Sequence, residues 1–285
     1  AMNLNDFFFS YKTIFKSNIL KKNYFKALRK LLNFPYKFLL FRLKILLKKD
    51  KIKLEKLERF DNQTLDDLFI NFNSDKGSKV KILDQYQPGH NYSHSYEKYF
   101  SKFKKNENVN ILEIGSLFGS SAASFYNYFE SVNICCLDIN PFNMKYISEE
   151  IRMIYIDTQS KVIINDLANY IKNDFDIIID DGSHNKKDQI LTLNSFFPKL
   201  KKNGIYVIED TYQYLDIPEL NDDKLDYGIN EFLKEINETG HHRSLYLNNN
   251  EKQNLQANIK KIFYEKGNFV YKNESLCEII FIEKN

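Results

Sequence analysis

The chain has 285 residues, enough for one α/β domain with an extension or for two small domains, and its 43% hydrophobic content supports a packed core and argues against a disordered chain. Three cysteines are too few for a disulfide scaffold and point to a reducing compartment, while no uncharged apolar run approaches the roughly 20 residues that span a bilayer. The net charge of +3 hides an asymmetry: residues 1–60 hold 16 basic and 4 acidic side chains, an excess of +12, and the remaining 25 basic and 34 acidic give −9.

A basic arm therefore precedes an acidic body, which implies an anionic partner for the arm or an arm lying on the body. Ala1 before Met2 reads as a cloning scar, and nothing at this end resembles a signal peptide, so the expectation is a cytoplasmic protein, with a peripheral place at a membrane's inner face open to it. Within 1–60, Phe7, Phe8, Phe9, Leu20, Tyr24, Leu28, Leu31 and Leu32 fall at helical spacing, Pro35 breaks the pattern, and a second stripe runs over Phe38, Leu39, Leu40, Phe41, Leu43, Ile45, Leu46 and Leu47 among Arg42, Lys44, Lys48 and Lys49. A helix with one basic and one aliphatic face can lie on an anionic membrane surface. The plainer alternative is a helical arm docked on the body or on a second subunit, and a homo-oligomer is open. The arm lacks aromatics on a compact sheet, so no nucleic-acid partner is expected.

Residues 61–108 read as a cap or lid segment carrying Ser74-Asp-Lys-Gly77 and then His90-Asn-Tyr-Ser-His-Ser-Tyr96. Tyr92 and Tyr96 lie four apart and fit one helical face, closing over a ligand or simply packing.

Residues 109–285 alternate strand and helix. The apolar runs Val109–Ile114, Val132–Ile139, Met153–Ile156, Phe175–Ile179 and Ile205–Ile208 are short and β-branched without alternation, as in parallel strands buried on both faces. Ser120–Phe129, Lys161–Lys172 and Lys187–Lys201 are the crossover helices, and Lys260–Tyr271 and Leu276–Glu283 are two strands joined by a polar turn. The fold class is α/β, a Rossmann-like, mainly parallel sheet with C-terminal antiparallel strands and an N-terminal basic helical extension. Cys135 and Cys136 read as buried, inert thiols.

Ligands of such a sheet sit at the carboxyl ends of its strands. The first ends in Leu112-Glu-Ile-Gly-Ser-Leu-Phe-Gly119 and runs into a helix; its Glu-x-Gly-x-x-x-Gly spacing differs from the nicotinamide fingerprint Gly-x-Gly-x-x-Gly and suits a nucleoside without phosphates. Asp138 closes the second strand 19 residues beyond Gly119, where an acid can bind both ribose hydroxyls, and Asp157 closes the third, where it can accept from an adenine amino group. The fourth ends in Asp180-Asp-Gly-Ser-His184 and the fifth in Glu209-Asp210. Two acids from each of two neighbouring strands form an oxygen-rich site that suits Mg²⁺, with Asp180, Asp181 and Asp210 as ligands and Glu209 competing. His184 is the candidate general base, since histidine changes charge near neutrality. The alternatives are that Asp180 caps the following helix, that Asp181 contacts the cofactor, and that His184 is a structural hydrogen bonder.

The ordered pattern over 109–210 resembles the class I S-adenosylmethionine (SAM)-dependent methyltransferases. Ser74-Asp-Lys-Gly77, His90-x-Tyr92, Leu112-Glu-Ile-Gly115 and Asp180-Asp-Gly-Ser-His184 together resemble a narrower group, the macrolide-sugar O-methyltransferases of the mycinamicin type and those of bacterial capsule and surface-glycan clusters. The resemblance covers residues 61–285. It implies SAM as donor, Glu113, Gly115 and Gly119 along its methionine part, Asp138 on its ribose, a metal and a histidine base. Ser116, Asp157, Asp180, Lys76 and Tyr92 complete the expected cofactor set, and His90, Tyr96 and Glu209 the acceptor contacts. The expected function is O-methylation of a hydroxyl on a sugar, surface-glycan or natural-product precursor. The alternatives are a non-sugar small acceptor of the phosphoramidate kind and a non-catalytic membrane-associated scaffold. His241-His242-Arg243 is expected at the surface.

Overall fold

A computed structural model describes residues 2–42, 51–58, 60, 63–220, 227–240, 242–276 and 278–285. Leu43 to Lys49 of the second apolar stripe, His241 and Cys277 lie outside them.

The arm is two helices, α1 (Leu4–Leu20) and α2 (Tyr24–Arg42). Asn3 caps α1 by accepting from the Asp6 N–H at 2.9 Å. Pro35 does not end α2 as expected but lies inside it. Proline removes one backbone hydrogen bond, a cost of about 3 kcal/mol in a helix interior. Here Phe34, Phe38 and Phe41 on both sides of Pro35 pack on Phe7 of α1, with ring centroids 6.3, 6.2 and 4.3 Å away, and hold the two halves in line. The segment after the arm supplies α3 (Leu65–Asn71), capped by Thr64, and α4 (Ser93–Phe100), with a two-stranded hairpin over 79–88 between them.

The central sheet has seven strands: β1 (Val109–Ile114), β2 (Val132–Asp138), β3 (Ile151–Tyr155), β4 (Phe175–Asp180), β5 (Leu200–Ile208), β6 (Ile259–Glu265) and β7 (Ile279–Lys284). Their order is β3-β2-β1-β4-β5-β7-β6, the first five parallel and β7 antiparallel between β5 and β6. Helices α5 (Ser120–Tyr128), α6 (Lys161–Tyr170), α7 (Lys186–Phe196), α8 (Ile229–Thr239) and α9 (Asn249–Asn258) make the connections and flank the sheet. Several boundaries differ from expectation, two of them for a clear local reason. The helix read over 187–201 stops at Phe196, because Pro198 cannot continue it and Leu200 is already paired with Phe175; the C-terminal strands are also shorter, with a small hairpin at 270–275 between them.

One sheet face packs on Ala122, Ala123 and Phe125 of α5 and on the aromatics Phe69, Tyr96 and Phe100 of α3 and α4; the other packs on Ile164 and Leu167 of α6, Ile190 and Leu193 of α7, and Phe232 of α8. The segment at 61–108 thus shares a core with the sheet. Cys135 and Cys136 are buried, and burial pushes the Cys135 thiol up to about 12, so both are inert. The register levels the carboxyl ends: Ile114 lies opposite Leu137 and Asp180, Asp138 opposite Tyr155, and Asp180 opposite Ile208.

Candidate active site

The turn after β1 is built on two glycines that no other residue replaces. Gly115 has φ +88°, and a Cβ there would lie 1.8 Å from the Asp181 carbonyl; Gly119 has φ +78° and starts α5. Beneath the turn, Glu113 is fully buried and accepts from Ser121 Oγ, and burial holds its carboxyl above its ordinary range. Ser116 is buried too, its Oγ 3.3 Å from the Glu113 carbonyl. Asp138 accepts from the N–H groups of Leu117 at 2.8 Å and Asn140 at 2.6 Å. A cavity of about 150 Å³ follows, walled by Gly115, Asp138, Ile139, Ile156, Asp157 and Gly182. Asp157 reaches this wall, but one of its oxygens is held by the arm: Ser17 Oγ donates to it and Lys21 Nζ lies 2.8 Å away.

The next cavity, about 440 Å³, shares Gly115, Asp138 and Gly182 with the first and is walled further by Lys76, His90, Asp181, His184 and Asp210. His184 (φ +55°) and Asp210 (φ +52°) both sit in the left-handed region, a strained conformation that aims their side chains into one crevice. His184 Nε2 lies 3.8 Å from Asp181 Oδ1 and 3.8 Å from Asp210 Oδ2, while its buried Nδ1 has no hydrogen-bond partner among the described residues. His90 Nδ1 approaches Asp210 Oδ1 at 3.5 Å, and Tyr92 donates its hydroxyl to the same oxygen at 2.7 Å. Burial alone would raise the Asp210 carboxyl, but His90, His184, the Tyr92 hydroxyl and Lys76 outweigh it and hold the group below its ordinary range.

Lys76 is the buried cation of the site. Its ammonium bonds Asp181 and, at 2.7 Å, Glu209, and these carboxylates hold it charged against the effect of burial. Tyr96 donates to Glu209 from the other side. Burial pushes the carboxyls of Glu209 and Asp181 up, with Lys76 opposing.

Residues 112–211 match a family described as a methyltransferase domain. Over these residues the chain carries a class I SAM-dependent methyltransferase domain. The 8-demethyl-8-α-L-rhamnosyl tetracenomycin-C 2′-O-methyltransferase of Streptomyces olivaceus is 29% identical over 128 residues, covering 42% of this chain and 33% of its own length. The mycinamicin VI 2″-O-methyltransferase of Micromonospora griseorubida is 30% identical over 131 residues, 43% of this chain and 32% of its own. Among solved structures, the MycE methyltransferase of the mycinamycin biosynthetic pathway, in complex with Mg, S-adenosylhomocysteine and mycinamycin VI, superposes with a TM-score of 0.57 at 22% identity, covering 79% of this chain and 55% of that one. The chain thus matches about a third of the length of these curated relatives.

One cavity gathers Gly115, Ser116, Asp138, Asp181, His184 and Asp210 of this domain with Lys76 and His90 of the segment before it. Other expected contacts lie elsewhere. Asp180 was expected as a metal and cofactor ligand, but its carboxylate turns under the sheet to accept from Thr192, and burial raises it to about 7. Tyr96 and Glu209, expected at the acceptor, are sealed together around Lys76, and Tyr92, expected on the cofactor, is buried behind Asp210. His242, expected at the surface, is buried against Phe232 with ring centroids 4.4 Å apart, and burial lowers it to about 4.

The sequence reading missed Glu278. It precedes β7, whose antiparallel run delivers its first residues, rather than its last, to the carboxyl edge of the parallel strands; there Glu278 joins His90 and Asp210 in a second group with donor atoms within 4.8 Å of one another. Burial raises its carboxyl to about 7. Ser17 and Lys21 were missed for a different reason: nothing local pairs an N-terminal helix with a strand end some 140 residues on.

Proposed function

We propose that this chain transfers a methyl group from SAM to a hydroxyl of a sugar or glycan-precursor acceptor. The observation that carries the reading is that Asp181, His184 and Asp210 converge, with donor atoms within 4.8 Å, in the cavity that also holds Gly115 and Asp138. The activities of these relatives, O-methylation at a 2′ or 2″ position, support a hydroxyl acceptor.

Bound SAM supplies an electrophilic methyl carbon on a sulfonium. Asp138 would hold the ribose hydroxyls, and the glycine turn would let the methionine part lie against the backbone. His184 Nε2 takes the acceptor hydroxyl's proton as its oxygen bonds to the methyl carbon; the carbon–sulfur bond breaks with its electron pair on sulfur. Asp181 and Asp210, each 3.8 Å from Nε2, stabilise the imidazolium that forms. His90 stands at the rim, where an acceptor enters.

The donor set fits a divalent cation. Asp181 keeps Oδ1 clear of Lys76, Asp210 is held ionised, and two carboxylates with room for water suit Mg²⁺. Asp181 and Asp210 would hold the ion, which would lower the pKa of a bound hydroxyl.

Calorimetric titration with S-adenosylhomocysteine, with and without Mg²⁺ and with NAD⁺ as control, tests the donor, and methyl transfer to activated sugars tests the acceptor. Micromolar binding of S-adenosylhomocysteine alone is expected; a folded protein that binds none of the three overturns the reading.

A further inference from the structure

The arm divides its two helices between two tasks. Helix α1 is consumed by the body. Helix α2 presents three faces: Ala27, Phe34, Phe38 and Phe41 turn inward, and the other two are open. One open face is apolar. Phe25, Leu28, Leu31, Leu32, Tyr36 and Leu39 recur at helical spacing and are each 52–78% exposed, far beyond the scattered exposed aliphatics of an ordinary surface. The other is cationic: Lys26, Arg29, Lys30 and Lys37 are all exposed, and none has an acidic partner among the described residues. At 100° per residue the apolar stripe and the cationic row lie side by side.

We propose that α2 is a membrane-surface helix that seats the enzyme on an anionic phospholipid bilayer, the apolar stripe at the headgroup–acyl boundary and the cationic row on the headgroup phosphates. Charge complementarity selects this occupant. An aromatic-aliphatic face bordered by lysine and arginine matches an anionic interface. A second copy of the chain fits less well, because an antiparallel pairing of two such helices about a two-fold axis sets one cationic row against the other. No helix among the described residues is long and apolar enough to cross the bilayer. The cationic row also walls a cavity of about 610 Å³ that reaches Ile139, which itself walls the cavity at Asp138, so a headgroup held there lies beside the nucleoside pocket. The inference does not depend on which acceptor is methylated.

Co-sedimentation of the full chain with vesicles tests it, comparing phosphatidylcholine alone with phosphatidylcholine containing phosphatidylglycerol. Binding to the anionic vesicles is expected to exceed binding to the neutral ones by about tenfold or more and to fall with added salt. The Phe25→Glu/Leu32→Glu variant should lose it, and Lys26→Gln/Lys30→Gln/Lys37→Gln should weaken it by about tenfold, both with an unchanged thermal unfolding midpoint because the altered side chains are exposed. Equal binding to both vesicle types, retention of binding in the Phe25→Glu/Leu32→Glu variant, or no vesicle binding by a dimer that this variant dissociates would each overturn the proposal.

Discussion

His184 and Asp180 stand four residues apart at the end of one strand and meet opposite environments. His184 is lifted into the crevice by a left-handed backbone, with two carboxylates 3.8 Å from Nε2. His184→Ala should leave S-adenosylhomocysteine affinity in place and lower kcat by about 10²–10⁴-fold, the usual contribution of a positioned base; full turnover in a single-turnover methyl-transfer assay would remove the assignment. Asp180 turns into the core, where burial raises its carboxyl to about 7. A carboxyl raised in the folded state favours folding only while protonated, so its contribution is complete below the ordinary aspartate range and is lost as pH climbs from about 4 to about 7. At about 1.4 kcal/mol per unit, the loss by pH 8 is at most about 4 kcal/mol. Asp180→Asn removes that penalty and keeps an acceptor for Thr192. The variant should show a higher urea midpoint than the parent at pH 8 and a similar one at pH 4; a parent more stable at pH 8 would show that the carboxylate is stabilised by contacts other than Thr192.

At the scale of elements, α1 is a cover for the sheet. Strand β3 is an edge strand, and unpaired edges invite association. Ser10 Oγ of α1 accepts from the Tyr155 N–H at 3.0 Å, and Asp6, fully buried, takes two bonds from Arg152 at 2.6 and 2.9 Å and a third from Tyr170 at 3.0 Å. Removing one partner of such a pair leaves a charge buried and uncompensated, at a cost of about 3–5 kcal/mol. Arg152→Ala should therefore cost about 3 kcal/mol by denaturant unfolding, whereas Asp6→Asn/Arg152→Gln, which leaves no net charge behind, should cost less. Equal losses in the two variants would mean that the contact is held by packing rather than by charge.

For the whole molecule, the basic arm on an acidic body is resolved in two ways at once. Half of the arm neutralises acids of the body, Lys16 on Asp166 and Lys21 on Asp157, and half keeps its cations outward. Deleting residues 2–22 uncovers β3 and frees Asp157. The thermal midpoint should fall by on the order of 10 °C, taking roughly 3 kcal/mol at 2–4 °C per kcal/mol for a chain of this size. Affinity for S-adenosylhomocysteine should fall with it, since Asp157 walls the cavity that the proposed function gives to the nucleoside. An unchanged midpoint in differential scanning calorimetry would show that the arm is a passive appendage.

The parallel strands, the glycine turn and the acids at the strand ends were legible because they are local. β-Branched runs with no alternation fit between two covered faces, and a glycine pair between a strand and a helix allows the positive φ that a sharp turn uses. The position of Asp181, His184 and Asp210 in one crevice followed from the same logic, since parallel strands of matched register bring their carboxyl ends level. Which oxygen each acid presents was decided only in three dimensions. Asp180 and Asp181 are neighbours in the chain, yet strand alternation turns one to Thr192 and the other to Lys76 and His184. Lys76, Tyr92 and Tyr96 stood out as residues of interest, but their role as buried props of Asp181, Asp210 and Glu209 depends on α3, α4 and the segment between them packing against one face of the sheet. Glu278 enters through an antiparallel strand whose direction no local pattern announces, and Ser17 and Lys21 through a helix docked across the edge of the sheet. Periodicity and turn chemistry are properties of a few consecutive residues and can be read from them; the partner of a buried charge is set by what folds against it, and that is a property of the whole chain.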